Sequence, residues 1–459
     1  MDEFPSIYPD YVGVTIPVNI APLRFKVNEP VEDAIAVLTY RGEEWVEHAD
    51  DGEFLFSISD WKDCLEKAAG DSLSVRVYTR EEGEWVAYQP FGIHVATETI
   101  DDYLVCRLVP PGYEQWHPMG LYQRDLNSYD EEAIIDNQQT DHNCMNCHSF
   151  RMHAPDDMLF HMRSTYGGTY VWTNGVLEKL DGKVSDAIQS LVYPYWHPSG
   201  DYVAFSTNQT KQMFHMKDKN RIEVFDMSSD VLVYDVRNHR VVTDSLLFSK
   251  QAFETFPSFS PDGKTLYFSS SVAQKMPIDY KKVKYNICSI SFDAETGRFG
   301  TQVDTLFSVE QTGKTGTFPR VSPDGKFLAF TEADYGNFTI WHKEADLCLI
   351  DLKTKEIKSL DALNSLEAES YHAWSSNGRW LVFASRRDDG LYSRPYIAYI
   401  DEEGTAHKAF VFPQASPDAY WDGLKSYNVP EFITGPVNLQ RKAVVEMAKH
   451  GQAKKVTAQ

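Results

Sequence analysis

Four segments of the chain repeat one another without gaps, and this periodicity limits the fold more than any other feature. They are Trp196-His-Pro-Ser-Gly200-Asp-Tyr-Val-Ala-Phe205, Phe259-Ser-Pro-Asp-Gly263-Lys-Thr-Leu-Tyr-Phe268, Val321-Ser-Pro-Asp-Gly325-Lys-Phe-Leu-Ala-Phe330 and Trp374-Ser-Ser-Asn-Gly378-Arg-Trp-Leu-Val-Phe383. Their glycines are 63, 62 and 53 residues apart. A degenerate copy, His153-Ala-Pro-Asp-Asp157-Met-Leu-Phe160, precedes them with Asp157 in place of glycine. Pro presets φ in three of the four copies, Asp or Asn caps backbone N–H groups in three, and Gly takes the left-handed position in all four. A short strand ending in Phe follows. Further apolar runs such as Val231–Asp235, Ile287–Phe292, Leu347–Asp351 and Tyr396–Ile400 complete about four strands per period. A period of this length without helical patterning reads as a β-propeller blade. Four gapless matches argue against chance recurrence of turns in a sandwich.

Composition agrees. Of the 459 residues, 13% are aromatic, a surplus that suits pleated sheets. Lys plus Arg number 44 against 67 Asp plus Glu, a net charge of −23. So acidic a surface repels phosphate backbones and anionic lipid, which excludes nucleic acid as a partner. No apolar run approaches the roughly eighteen residues of a membrane span. The expected organisation is an all-β chain in four parts. Residues 1–125 form a small N-terminal β-sandwich, 126–150 a polar linker, 150–432 a propeller of five or six blades, and 433–459 a C-terminal helix or frayed tail. A strand from before residue 150 is expected to close the ring.

The six cysteines, at 64, 106, 144, 147, 288 and 348, are too few for a disulfide scaffold. Two of them stand in Cys144-Met-Asn-Cys147-His148, a C-x-x-C-H motif of the kind that attaches c-type haem. Cysteines at this spacing reach the two vinyl groups of one porphyrin edge, and the adjacent imidazole ligates the iron. Three other readings stay open. Zinc would use Cys144, Cys147 and His148 with His142 or His153, although no second C-x-x-C exists. A redox-active dithiol would want a βαβ setting. The third is a plain structural pair.

The Ser-Pro-Asp-Gly repeats resemble the TolB-type propeller. Three further stretches resemble a group of exported TolB-like proteins: Thr15–Phe25, Cys144-Met-Asn-Cys-His-Ser149 and Ser426-Tyr-Asn-Val-Pro-Glu-Phe432. That group consists of predicted lipoproteins with one haem-attachment motif ahead of the propeller, and it has no agreed biochemical function. The resemblance covers about residues 5–432 and implies six blades, a periplasmic or outer-membrane-associated location and a lipid anchor on a native N-terminus. The chain opens Met1-Asp2-Glu3-Phe4-Pro5, without a basic region followed by an apolar stretch, so any export signal is taken as removed. Haem c is then expected in exported protein and absent from protein made in the cytosol, where attachment machinery is lacking.

Distal ligand candidates to the iron are His117, Met119, His153 and His161, with His142 and Met162 nearby. Trp116, Phe150, Met152, Phe160 and Met162 are candidates for apolar cover. The polar stretches 208–215 and 385–390 each follow a strand ending in Phe and are read as loops on one face of the ring. There His215, Arg386, Arg387 and Asp388 are candidates to meet an anionic or carbohydrate group. The chain has no G-x-S-x-G elbow, no H-E-x-x-H pair and no Gly-rich phosphate loop. The leading expectation is electron transfer or redox sensing coupled to protein or glycan binding at the envelope. The alternatives are a scaffold propeller without haem and a propeller hydrolase or lyase acting on polysaccharide. Enzyme status stays open, as does the identity of the redox partner.

Overall fold

The computed structural model describes residues 2–110 and 118–459, with the backbone alone for Cys147. Six sheets, each with four antiparallel strands, follow one another around a ring. Blade one comprises Met145–Phe150, Met158–Met162, Gly168–Thr173 and Val176–Asp181. Blade two runs from Val192–Trp196 to Arg240–Val242, blade three from Ala252–Phe259 to Arg298–Phe307. Blade four runs from Thr315–Val321 to Ile357–Ser359, and blade five from Glu369–Trp374 to Phe410–Val411. Neighbouring innermost strands pack against one another around the full circle.

Blade six closes the ring by joining distant segments. Its innermost strand is Ser426–Ile433, and Tyr103–Val109, Gly120–Asp125 and Glu131–Asp136 follow outward. Opening the ring therefore requires breaking a sheet, and no edge is left bare at the seam. The expected closing contribution from before residue 150 is thus three strands, with the fourth supplied from the C-terminal side. This moves two expected boundaries. Residues 103–125 belong to the propeller rather than to the N-terminal domain. The stretch 126–150 is no linker, because it holds the outer strand of blade six and the inner strand of blade one. Neither segment carries the Ser-Pro-Asp-Gly turn that marks the other blades.

The repeated turn explains its own composition. Ser260 Oγ donates to Asp262 Oδ1 at 2.6 Å, which accepts from Lys264 N at 3.1 Å, while Thr265 N donates back to Ser260 Oγ at 3.0 Å. The same three bonds recur around Ser322 and Asp324, and around Ser375 and Asn377. Gly263 and Gly325, the expected left-handed positions, have φ of +73° and +72°.

The N-terminal domain has a six-stranded sheet, a three-stranded sheet and one helix, Ile58–Ala68, capped by Ser57. Its core is continuous with blades four and five: Leu73, Val75 and Phe91 share a cluster with Leu347, Trp380 and Phe383. Ser376 and Trp380 bond to Asp101 and Thr99 across the junction. The expected C-terminal helix is present at Arg441–His450, but it is docked rather than frayed. Val444 and Ala448 are buried with Ile134, Ile135 and Met145. Beyond it, Lys454–Lys455 and Thr457–Ala458 run parallel to the outer edges of blades one and two.

Candidate functional site

Every innermost strand carries a bulge at one equivalent place. Residues 193–194 together oppose Phe205, 256–257 oppose Phe268, 318–319 oppose Phe330, and 371–372 oppose Phe383. Residues 147–148 oppose Phe160, and 429–430 oppose Cys106. The repeated Phe read from the sequence is therefore the residue buried under each bulge. Tyr193, Phe256, Phe318, Tyr371 and Val429, each the first of its pair, all have φ between +49° and +55°. Left-handed backbone costs a bulky residue about 1–2 kcal/mol, and such strain gathers at ligand sites. The second residue is Pro194, Pro257, Pro319 or Pro430 in four blades, where a missing ladder N–H does no harm. In the other two it is His148 or His372.

These bulges wall a cavity of about 1200 Å³ in the centre of the ring. Phe256 stacks on Phe318 with centroids 3.9 Å apart, flanked by Tyr193 at 4.9 Å and Tyr371 at 5.0 Å from their respective neighbours. Phe338 and Trp341 extend the aromatic wall. An arm reaches across the cavity from blade two. The region 208–215, expected as a loop, continues the strand Tyr202–Phe214, which pairs with Ile222–Asp235. The arm is anchored on the 334–345 segment of blade four. Glu223 accepts from Tyr335 Oη and sits 3.2 Å from His342 Nε2, Asn337 Nδ2 donates to Asp226 at 2.6 Å, and Lys219 pairs with Asp334 at 3.0 Å.

The C-x-x-C-H motif lies on the wall of this cavity, between blades six and one. The motif runs into the innermost strand Met145–Phe150 of blade one. Arg107 holds the start of the motif: Nε donates to Met145 O at 2.6 Å, and Nη2 lies 3.8 Å from Cys144 Sγ. The His148 side chain is 0% exposed, and neither ring nitrogen has a hydrogen-bond partner. Its Nε2 is 3.8 Å from Glu431 Oε2. Burial pushes the imidazole down to about 3, aided by the nearby Arg107 charge, so the ring is neutral. Burial also pushes Glu431 up to about 8. Among the described residues no three His, Cys, Asp or Glu side chains are grouped to hold a metal ion.

The candidate distal ligands are dispersed. His153 lines the cavity, with Nδ1 at 3.0 Å from Phe432 O. Met119 Sδ is 3.8 Å from Arg107 Nη2, on the guanidinium that also meets Cys144. His161 belongs to the second strand of blade one, bonds Thr169 at 3.3 Å and faces a separate cleft of about 260 Å³. His142 is exposed, and Met162 is buried in the core of blade one. His117 and Trp116 lie outside the described residues. Phe150 and Met152 line the cavity, whereas Phe160 stays in the core.

Of the four residues expected on the propeller face, Arg386 alone reaches the cavity. Arg387 pairs with buried Glu369 at 3.2 Å, and Asp388 pairs with buried Arg394 at 3.0 Å, so both serve the interior of blade five. His215, near the arm's tip, stacks on Tyr280 instead. Three wall residues were not anticipated: Glu431, His372 and Arg320, the last with its guanidinium 5.1 Å from the Tyr195 ring. Aligning Tyr371-His372 with the Tyr-Pro, Phe-Pro and Val-Pro pairs of the other inner strands would have exposed His372.

No protein-family model matches the chain, and no curated protein matches it. Among solved structures it is similar to an oligogalacturonate lyase in complex with manganese, at 13% identity and TM-score 0.38, over 67% of this chain and 73% of that one. It is similar to prolyl oligopeptidase B from Galerina marginata at 10% identity and TM-score 0.37, over 73% of this chain and 42% of the other, less than half its length. An ancestral GH74 enzyme shares 9% identity and TM-score 0.35, over 78% and 55%. The sheet order itself defines the class: the protein is a six-bladed β-propeller closed by a sheet built from both ends of the ring, with a β domain packed on its side.

Proposed function

We propose that the protein is an exported c-type haem protein, in which the propeller holds one haem beside its central cavity for electron transfer or redox sensing at the cell envelope. His148 carries this reading. A fully buried imidazole with two unpartnered nitrogens is costly unless something else satisfies it. It stands next to the cysteine pair that a porphyrin edge requires, on a cavity larger than the roughly 300–1,000 Å³ of ordinary small-molecule clefts. Cys144 and Cys147 would hold the porphyrin, and neutral His148 keeps a lone pair free for the iron. Bound there, haem would supply one-electron exchange. Arg107 places a fixed positive charge at the same edge. Haem attachment outside the cytoplasm implies a periplasmic or outer-membrane-associated protein.

The test is production with an export signal alongside active c-type maturation machinery. A haem-stained band that survives denaturation is expected, together with a Soret band. Cys144→Ala with Cys147→Ala should abolish the covalent band, whereas His148→Ala should keep it and alter the spectrum. Free thiols at both positions, in protein exported beside a correctly matured control cytochrome, would reject the reading. A second reading, a polysaccharide-acting hydrolase or lyase, draws on the aromatic wall, with Glu431 and Arg320 as polar groups within it. Release of reducing ends or unsaturated products from oligosaccharides would favour it.

A further inference from the structure

We infer that the central cavity is a binding site for a carboxylate-bearing oligosaccharide, a chain of uronic sugars, with Arg386 on the Trp341 face as its anchor. The inference does not depend on haem; it names the ligand class of the propeller, which the haem reading leaves open.

The first observation is an inversion of charge. The chain as a whole has 44 basic and 67 acidic side chains, yet the cavity wall carries eight Arg and Lys against two carboxylates, Glu367 and Glu431. A cationic hollow in an acidic protein focuses field lines and concentrates anions. Two of these cations, Lys211 and Arg221, sit on the arm with no ion pair among the described residues.

The second observation is Arg386 itself. It is 9% exposed, its Nε has no hydrogen-bond partner, and no carboxylate lies within ion-pair distance among the described residues. The guanidinium instead lies 3.9 Å from the Trp341 ring centroid. Arg387 and Arg394 on the same blade are each committed to carboxylates. A buried, unpaired charge is expensive, and cation–π contact offsets only part of that cost. A carboxylate arriving in the cavity would complete the site, since guanidinium donors match its two oxygens.

The wall decides between classes of anion. Half-buried Tyr193, Trp341 and Tyr371 give it aromatic surface, backed by the buried Phe256, Phe318 and Phe338. Each sugar of a uronic chain offers an apolar C–H face for such rings and one carboxylate for such cations. An acidic peptide supplies the charge without a repeated flat face.

The test is equilibrium binding to the full chain, followed by tryptophan fluorescence and calorimetry. The probes are oligomers of galacturonate and of mannuronate, neutral oligosaccharides of equal length, and poly-glutamate of equal charge. At least one uronic oligomer should bind, at least tenfold more tightly than its neutral counterpart, with affinity falling as salt rises. Arg386→Gln should weaken binding at least tenfold without lowering the melting temperature. Lys211→Gln with Arg221→Gln, on the exposed arm where folding is not at stake, should weaken it severalfold and flatten the salt dependence. Neutral chains binding equally well, poly-glutamate binding more tightly, no uronic binding at all, or an arm double variant that binds like wild type would each overturn the inference.

Discussion

Gly263 and Gly325 occupy the same turn in successive blades, so substituting each separates two sources of cost. Both have φ near +72°, and alanine there should cost about 1 kcal/mol from left-handed strain. At Gly325 an added Cβ meets nothing within 4 Å, so strain is the whole effect. At Gly263 the Cβ would lie 2.2 Å from His197 Nε2. That ring cannot simply swing away. It is buried, packed edge-on against Phe259 at 4.9 Å, and its Nε2 is 3.1 Å from Gly263 O. Displacing it forfeits a hydrogen bond of about 1 kcal/mol and overpacks the site by about 1–3 kcal/mol. Gly263→Ala should therefore cost about 3–5 kcal/mol against about 1 for Gly325→Ala. Urea unfolding midpoints, read at constant m, measure both. In a His197→Ala background, Gly263→Ala should fall to about 1 kcal/mol, since the clash is gone. Equal costs in the two wild-type turns would refute the clash, and a neutral Gly325→Ala would refute the left-handed strain.

Burial, with Asp230 adding to it, pushes the Glu254 carboxyl up to about 8, so the folded state holds a proton that the unfolded chain releases near 4.5. Stability contributed by this group is present at low pH and lost as pH rises through that window. Glu254→Gln should thus raise the melting temperature at pH 8 and flatten the decline, and a slope identical to wild type would contradict the assignment. Glu223→Ala leaves Tyr335 and His342 without their buried partner and should release the arm from blade four. Limited proteolysis should then cut within 211–221 much faster than in wild type, whereas an unchanged pattern would show that other contacts hold the arm. Protein made in a bacterial cytosol should carry no covalent haem, and a covalent adduct in its mass spectrum would count against attachment by dedicated machinery.

The sequence reveals the blades whose chemistry is local. A Ser-Pro-Asp-Gly turn is complete within six residues, and each of its three hydrogen bonds can be anticipated from residue types. Blade six has no such turn, and Tyr103 meets Ile433 across more than three hundred residues, a pairing that no local pattern announces. The arm was misread for the opposite reason. Residues 208–215 are polar because they are exposed on one long hairpin, and polarity without alternation looks like a loop. For the candidate site, Cys144 and His148 were legible as a spacing, while their strand was not, because Cys-His replaces the aromatic-Pro pair that marks the bulge in blades two, three and four. Arg386 was legible only as one of three adjacent charges. Which of them faces the cavity depends on the ion pairs that Glu369 and Arg394 make with the other two.

The six equivalent bulges give these substitutions their meaning. Proline is the undemanding occupant of the second bulge position, since it fixes φ and needs no hydrogen bond, and four blades use it. Histidine supplies neither advantage, and in blades one and five its buried ring leaves Nε2 without a partner. A residue worse for the strand than the one used elsewhere at the same position is retained for its side chain rather than for its backbone. Blades one and five are also the two neighbours of blade six, whose own bulge is followed by Glu431. The departures from the repeat thus cluster around the seam where the ring closes. There the loop carrying Cys144 passes from the outer strand of blade six to the inner strand of blade one, and Arg107 of blade six reaches over to hold it. A group bound covalently at that loop and ligated by His148 would add a further link between two blades already joined by the 136–145 connection, the C-terminal strand along blade one and hydrogen bonds such as Phe150 N to Glu431 Oε1.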